Sequence, residues 1–274
     1  MAMMQDDSLQ AAGVADFRKL VETSGFDHID FGCSKGGSLA LAKKRFDGRR
    51  GLGIDIDPSK IEQTLAAGYD AILYDIHNIP DEKLVRFVIM SHFLEHVPNL
   101  KDVRAFVRKA CMISSDFVYI QQPYFDADSY LFERGFKLYW SDWFGHRNQM
   151  TSLELWLMLR DLQKEGLPIT FSLHAHKPIT NSVSPRIHPL ASPKNQHDYA
   201  ADVHPPKDRS VRFQSNVFHE LICLITFPGC DHAEQLKKLR YHHTIIDSSG
   251  KPAKVKQHNT LDRVKQFVGL GASS

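Results

Sequence analysis

No run of apolar residues in this chain approaches the roughly 20 that a helix needs to cross a bilayer, so no membrane span is expected. The four cysteines (Cys33, Cys111, Cys223 and Cys230) have no paired spacing, which leaves neither a zinc-binding pattern nor a disulfide framework. The first thirty residues lack a basic stretch followed by an apolar one, which argues against a signal peptide. These absences together predict a reduced, soluble, cytoplasmic protein. Charge of one sign is lacking too. With 34 Lys and Arg against 32 Asp and Glu, the formal net charge of +2 gives no reason to expect a nucleic-acid partner. What is present is ordinary globular material: 274 residues, 42% hydrophobic, suffice to bury a core without cross-links.

Residues 1–13 are small and polar and read as a disordered N-terminus. A methyl-rich periodic pattern then begins. Val14, Phe17, Leu20 and Val21 share one face of a short helix. From Ile29 to Gln121 short apolar runs alternate with helical patterns: strands at 29–31, 51–56, 71–74, 85–90 and 117–121, helices at 38–46, 58–66 and 102–112. That rhythm predicts an α/β fold, a parallel sheet covered on both faces. After Pro123 it gives way to an aromatic segment, 124–146. A helix follows from Thr151, whose spacing to Glu154 makes a capping box. Residues 169–173 and 221–227 predict two further strands. Between them, 178–216 contains six prolines and reads as a long irregular insertion within a domain of 14–230; 231–274 reads as a polar C-terminal extension.

The first strand-to-helix turn is Asp30-Phe31-Gly32-Cys33-Ser34-Lys35-Gly36-Gly37. A glycine-rich turn brings backbone close to a ligand, and the following helix offers unpaired N–H groups; equally, such a turn can only connect elements. The second strand ends in Gly53-Ile54-Asp55-Ile56-Asp57-Pro58. A carboxylate there, about 20 residues past the glycines, can accept both hydroxyls of a ribose. Asp55 is the better candidate, because Asp57 precedes Pro58 and suits a helix N-cap. The third strand ends in Tyr74-Asp75-Ile76-His77, where Asp75 could receive an adenine amine or simply hold a turn.

These segments, with Ser91-His92-Phe93-Leu94-Glu95-His96-Val97-Pro98 after the fourth strand, resemble the class I, Rossmann-like S-adenosylmethionine-dependent methyltransferases. The likeness is to the broad group with a Leu-Glu-His segment at that point and covers about residues 26–165. It implies a doubly wound, mostly parallel seven-stranded sheet with one antiparallel strand and helices on both faces. It implies S-adenosylmethionine as cofactor and S-adenosylhomocysteine as product. By position, Asp30, Gly32, Ser34 and Gly36 would hold the methionine part; Asp55, with Ile56 beside it, the ribose; Asp75 and Ile76 the adenine. Ser91 and His92 would line the wall near the sulfonium. One departure is Ser34, where the family's turn has its middle glycine; serine is tolerable there if its backbone angles stay in an ordinary region.

An acceptor hydroxyl would need a general base, and His146, Tyr124 and His96 are the candidates, each with a plain packing or capping alternative. The aromatics suit a small-molecule or glycan acceptor and O-methylation. No metal is expected, since neither His174/His176 nor His242-His243 has a carboxylate or cysteine at ligand spacing. Two other readings stand beside this one: a binding or scaffold protein that kept the fold and lost activity, and a nicotinamide-dependent oxidoreductase. Oligomeric state is not readable from the sequence.

Overall fold

The alternation of short apolar runs and helical patterns folds as a single wound sheet. A computed structural model describes residues 17–249 apart from 195, 196, 208, 233, 234, 237, 238 and 240. Helix α1 (Phe17–Ser24) leads into β1 (His28–Phe31), then α2 (Gly37–Arg45), β2 (Gly51–Asp55), α3 (Pro58–Ala66) and β3 (Asp70–Leu73). The second winding runs β4 (Val85–Ser91), α4 (Leu100–Ile113) and β5 (Ser114–Pro123). Then come α5 (Asp128–Phe132), β6 (Phe136–Leu138), α6 (Ser152–Lys164), β7 (Thr170–Pro178), β8 (Ile187–Pro189), β9 (Phe218–Thr226) and β10 (His243–Asp247). Val14, and the apolar positions at 261–267, lie outside the described residues.

The main sheet has the order β10-β7-β9-β5-β4-β1-β2-β3. Neighbours from β3 to β5 pair in parallel, and β9 runs antiparallel to both β5 and β7. The expected seven strands with one antiparallel are therefore present, in a Rossmann-like arrangement. An eighth is added at the edge: β10, from the polar tail, pairs antiparallel with β7 and carries a bulge between Thr244 and Ile246.

Side-chain alternation along the strands divides the interior into two layers. Val88, Met90, Val118, Ile120, Leu221, Cys223 and Ile225 point to the face covered by Phe17 and Val21 of α1, Val103 and Val107 of α4, and Leu155 and Leu159 of α6. Their chain neighbours Phe87, Ile89, Phe117, Tyr119, Ile222 and Leu224 point the other way, against Ala42 of α2, Phe46 and Leu236. That second layer is aromatic: Phe87 stacks on Phe117 at 4.6 Å between centroids, and Phe46 leans on both. Burial on both faces explains why β4, β5 and β9 read as unbroken apolar runs rather than as alternating ones.

Local signals act where the sequence places them. Asp57 caps α3, its Oδ1 accepting the Ser59 N–H at 2.9 Å, with Pro58 in the first turn. Thr151 and Glu154 form the reciprocal capping box of α6. Within 178–216, β8 pairs antiparallel with β6 as a separate two-stranded sheet. Among the described residues, no helix is long and apolar enough to cross a membrane.

Candidate cofactor cleft

Strand order reverses at β1, which pairs with β2 on one side and β4 on the other. In an open α/β sheet the crevice beyond the strand ends at such a point is where ligands bind. The turn leaving β1 is pinned to β2, the Gly32 and Cys33 N–H groups donating to the Ile54 carbonyl at 2.8 and 3.1 Å. Gly32 has φ +71°, and a Cβ there would stand 2.3 Å from the Phe93 ring, so only glycine fits. Ser34 also lies in the left-handed region, at φ 48°. The condition under which serine would be easily tolerated is therefore not met: the turn holds a left-handed residue, which serine adopts at a cost of about 1–2 kcal/mol. Two bonds hold it, the Thr64 hydroxyl donating to the Ser34 carbonyl at 2.8 Å and the Ser34 N–H to Asp55 Oδ2 at 3.3 Å.

A cleft of about 760 Å³ opens over this turn. Its wall brings together Gly32, Ser34, Asp55, Ile56, Asp75, Ile76, Ser91, His92 and His96, nine of the positions singled out from sequence. Asp55 stands at the mouth with its Oδ1 also accepting the Asp57 N–H at 3.0 Å, which fixes the carboxylate while leaving lone pairs for a ligand. Asp75 holds a turn, its Oδ1 accepting the His77 N–H at 2.9 Å at the start of a 3₁₀ turn, and the residue lines the cleft. Ile56 is 76% exposed, an apolar surface at the rim that a flat ring could cover. Gly36 is not on the wall; it caps α2 in the left-handed region, where a Cβ would stand 2.6 Å from the Tyr69 ring.

Asp30 is wholly buried, off the cleft wall, and neither carboxylate oxygen makes a hydrogen bond of good geometry among the described residues. Burial drives its pKa well above the carboxylate range; the Ser38 hydroxyl opposes this and the Asp55 charge adds to it. A buried carboxylate so poorly satisfied is costly and fits a cationic partner that arrives with a ligand.

His92 occupies a strained position, φ 52°, with its N–H donating to the Gln121 carbonyl at 2.7 Å. Its ring bridges Glu95 Oε1 (3.2 Å) and the Gln121 amide (3.3 Å). Burial alone would lower the His92 pKa, but the bond to Glu95 and the charges of Glu95 and Glu220 outweigh it and raise the value. His96 donates from Nδ1 to the Gly145 carbonyl at 2.9 Å. His146 sits one ring behind His96 and Trp143, with centroids 5.3 and 5.0 Å away, and donates from Nδ1 to the Trp140 carbonyl at 3.0 Å. Burial lowers its pKa to about 4, against the opposing charge of Glu95. Tyr124 is buried edge-on against Phe218 and lines neither the cleft nor its neighbour; burial raises its pKa. Of the three candidate bases, then, only His96 reaches the cleft wall.

A second hollow, about 440 Å³, shares Gly32, Ser34, Ser91 and His92 with the cleft and continues toward Gln121, Lys177 and Glu220. Glu220 is held to about 2: burial would raise it, but hydrogen bonds from His219 and Lys177 and their charges win. Sequence reading did not single out Phe93, Phe106 or Lys60, which also line the cleft. Phe93 alone had a signal, its place inside the motif. His174, considered from sequence as half of a metal pair, has both ring nitrogens engaged, by Thr244 and Ser172 hydroxyls.

No protein-family model matches the chain, and no curated protein matches it. Solved structures do. An S-adenosylmethionine-dependent methyltransferase from Archaeoglobus fulgidus is 15% identical, with 76% of this chain and 94% of that one covered at a TM-score of 0.49. The magnesium protoporphyrin IX methyltransferase of Synechocystis PCC 6803, with bound S-adenosylmethionine, is 10% identical, covering 77% and 76% at 0.41. A possible histamine N-methyltransferase from Thermotoga maritima is 10% identical, covering 76% and 86% at 0.43. At such scores, function has to be read from the cleft's own residues.

Proposed function

We propose that the protein is an S-adenosylmethionine-dependent methyltransferase that O-methylates a small-molecule or glycan-type acceptor. The observation that carries this reading is that Asp55 and Asp75 line one cleft at the switch point, around the Gly32–Ser34 turn, with the buried Asp30 at the end of β1 beneath that turn. Each carboxylate matches one part of the cofactor. Asp30, buried and poorly satisfied, receives the α-ammonium group; Asp55 accepts the two ribose hydroxyls; Asp75 accepts the adenine amine, with Ile76 and Ile56 against the ring. Ser91 and His92 border the reactive end.

Bound S-adenosylmethionine supplies an electrophilic methyl group on a sulfonium leaving group. The protein's own task is then alignment, which can account for roughly 7–11 kcal/mol of barrier lowering. Trp143 on the cleft wall and the exposed Phe144 beside it offer flat apolar faces of the kind that sugar rings cover. In this reading 14–230 form the catalytic domain in the cytoplasm, with 178–216 an insertion on the acceptor side and 231–274 an extension.

Calorimetric titration with S-adenosylmethionine and S-adenosylhomocysteine, on wild type and Asp55→Ala, tests it. Micromolar binding in wild type that weakens about 10-fold to 100-fold in the variant is expected, the loss of one or two charge-assisted hydrogen bonds. Absence of binding by folded wild type would turn the reading to a scaffold protein, with the left-handed Ser34 as the mark of its lost site.

A further inference from the structure

Glu95, His96 and His146 each present one ligand atom, and the three atoms lie within 4.8 Å of one another. We propose that these residues bind a divalent transition-metal ion at the edge of the cofactor cleft, in place of the metal-free site expected from sequence.

The hydrogen bonds around the cluster select the ligand atoms. His96 and His146 both give their Nδ1–H to backbone carbonyls, of Gly145 and Trp140, so each neutral ring keeps its lone pair on Nε2. A backbone carbonyl on the far nitrogen is the usual second partner of a metal-bound histidine. Glu95 is 1% exposed, and its Oε2 is buried without a hydrogen-bond partner among the described residues, while Oε1 is held by the His92 ring. That leaves one carboxylate oxygen and two imidazole lone pairs as the donors that the three clustered residues can offer.

The frame is built for the purpose even though its parts are fifty residues apart. The Glu95 carbonyl accepts the N–H groups of Arg147 (2.7 Å) and Asn148 (3.3 Å), and the Asn148 side chain donates to the carbonyls of Leu94 (2.7 Å) and Val97 (2.8 Å). Four bonds thus lock the segment carrying His146 onto the turn carrying Glu95 and His96. At metal–ligand bonds of about 2.1 Å, donors sit about 3.4 Å apart, so an ion would draw together three atoms that now lie within 4.8 Å of one another. Two imidazoles and one carboxylate suit zinc, manganese or iron rather than magnesium, and leave positions open for substrate.

His96 lines the cleft, so those positions face the acceptor side. This role rests on the methyl-transfer reading; the ion site does not. An ion there would take an acceptor hydroxyl and lower its pKa. The hydroxyl proton passes to solvent, the oxygen pair forms the bond to the methyl carbon, and the C–S pair returns to sulfur, giving a methyl ether and a neutral thioether. The proposal thus narrows the acceptor to a hydroxyl compound and removes the need for a histidine base.

The test uses untagged full-length protein stripped with EDTA. Titration with Zn²⁺, Mn²⁺ and Mg²⁺ should show one equivalent of Zn²⁺ or Mn²⁺ bound at micromolar or lower Kd and Mg²⁺ bound roughly 100-fold more weakly. Glu95→Gln and His146→Gln should each weaken the tight event by roughly 100-fold or more, with circular dichroism confirming the fold. Spin-echo spectra of the Mn²⁺-loaded wild type need no variant and should show two coupled imidazole nitrogens. No stoichiometric transition-ion binding, no nitrogen coupling, or unchanged affinity in both folded variants would overturn the site. S-adenosylhomocysteine titrated in EDTA separates the two ideas: nucleoside binding without metal binding defeats this proposal alone, and the converse defeats the methyl-transfer reading alone.

Discussion

The cleft beside β1–β3 is shaped by backbone, whereas the region around the separate β6–β8 pair relies on buried side chains. On the first side Gly32, Ser34 and the Ile54 carbonyl fix a tight turn, and carboxylates stand at the strand ends. On the second, titratable groups are sunk into the packing: Lys137 is wholly buried against Asp142 (2.8 Å) and the Ser192 carbonyl (2.8 Å), and His188 lies beside His204. Backbone devices tolerate little change in shape but are indifferent to pH. Buried charges are the opposite, and this difference can be measured.

Gly32→Ala attacks the first region and should have the largest effect. The methyl group meets the Phe93 ring at a left-handed position, so cofactor affinity should fall more than about 100-fold, or about 3 kcal/mol. Calorimetry that finds near-wild-type affinity would show the turn to be softer than the comparison requires.

The second region should answer to pH. Burial raises the Asp128 pKa to about 7; the Ser141 hydroxyl opposes this and the Asp126 and Asp142 charges add to it. The folded state therefore holds a proton that the unfolded chain, titrating near 4, has released. Stability from this group is present at low pH and lost as pH rises from about 4 through 7, on the order of a few kcal/mol. Asp128→Asn should gain on wild type across that window in denaturant midpoints. Parallel pH curves for the two proteins would remove Asp128 from the account.

Lys137→Met should lower stability by about 2 kcal/mol, below the usual loss for a broken buried pair because Asp142 is one-third exposed. Cofactor affinity should not change, and a shared loss of both would mean that the regions are coupled. The mildest change is Thr151→Ala, which removes the capping box of α6 for about 1 kcal/mol and should move the melting temperature without touching the cleft.

The same division explains what was readable from sequence. The turn, Asp55, Asp75 and the caps at Asp57 and Thr151 are local patterns, set by residues within a few positions of one another. The cluster of Glu95 and His96 with His146 is not local. It exists because Asn148 and Arg147 are stitched to the Leu94–Val97 turn, a pairing with no periodicity or spacing behind it. Ser34 failed in a different way. Its identity was visible, but its φ is dictated by the turn around it. Lys137 reads as an ordinary surface lysine in a segment of aromatics, and only the pairing of β6 with β8 carries it inside. Strand β10 escaped notice because His243–Asp247 is half polar and borrows its ladder from β7.

That borrowed strand also settles how the sheet stops growing. Without it, the nine residues of β7 would offer a long open row of amide and carbonyl groups, a template for any passing extended chain. With it, the outermost strand is five residues long and broken by a bulge at Ile245, and the opposite border is the four-residue β3. Both margins are short, and short edge strands limit edge-to-edge pairing with other chains.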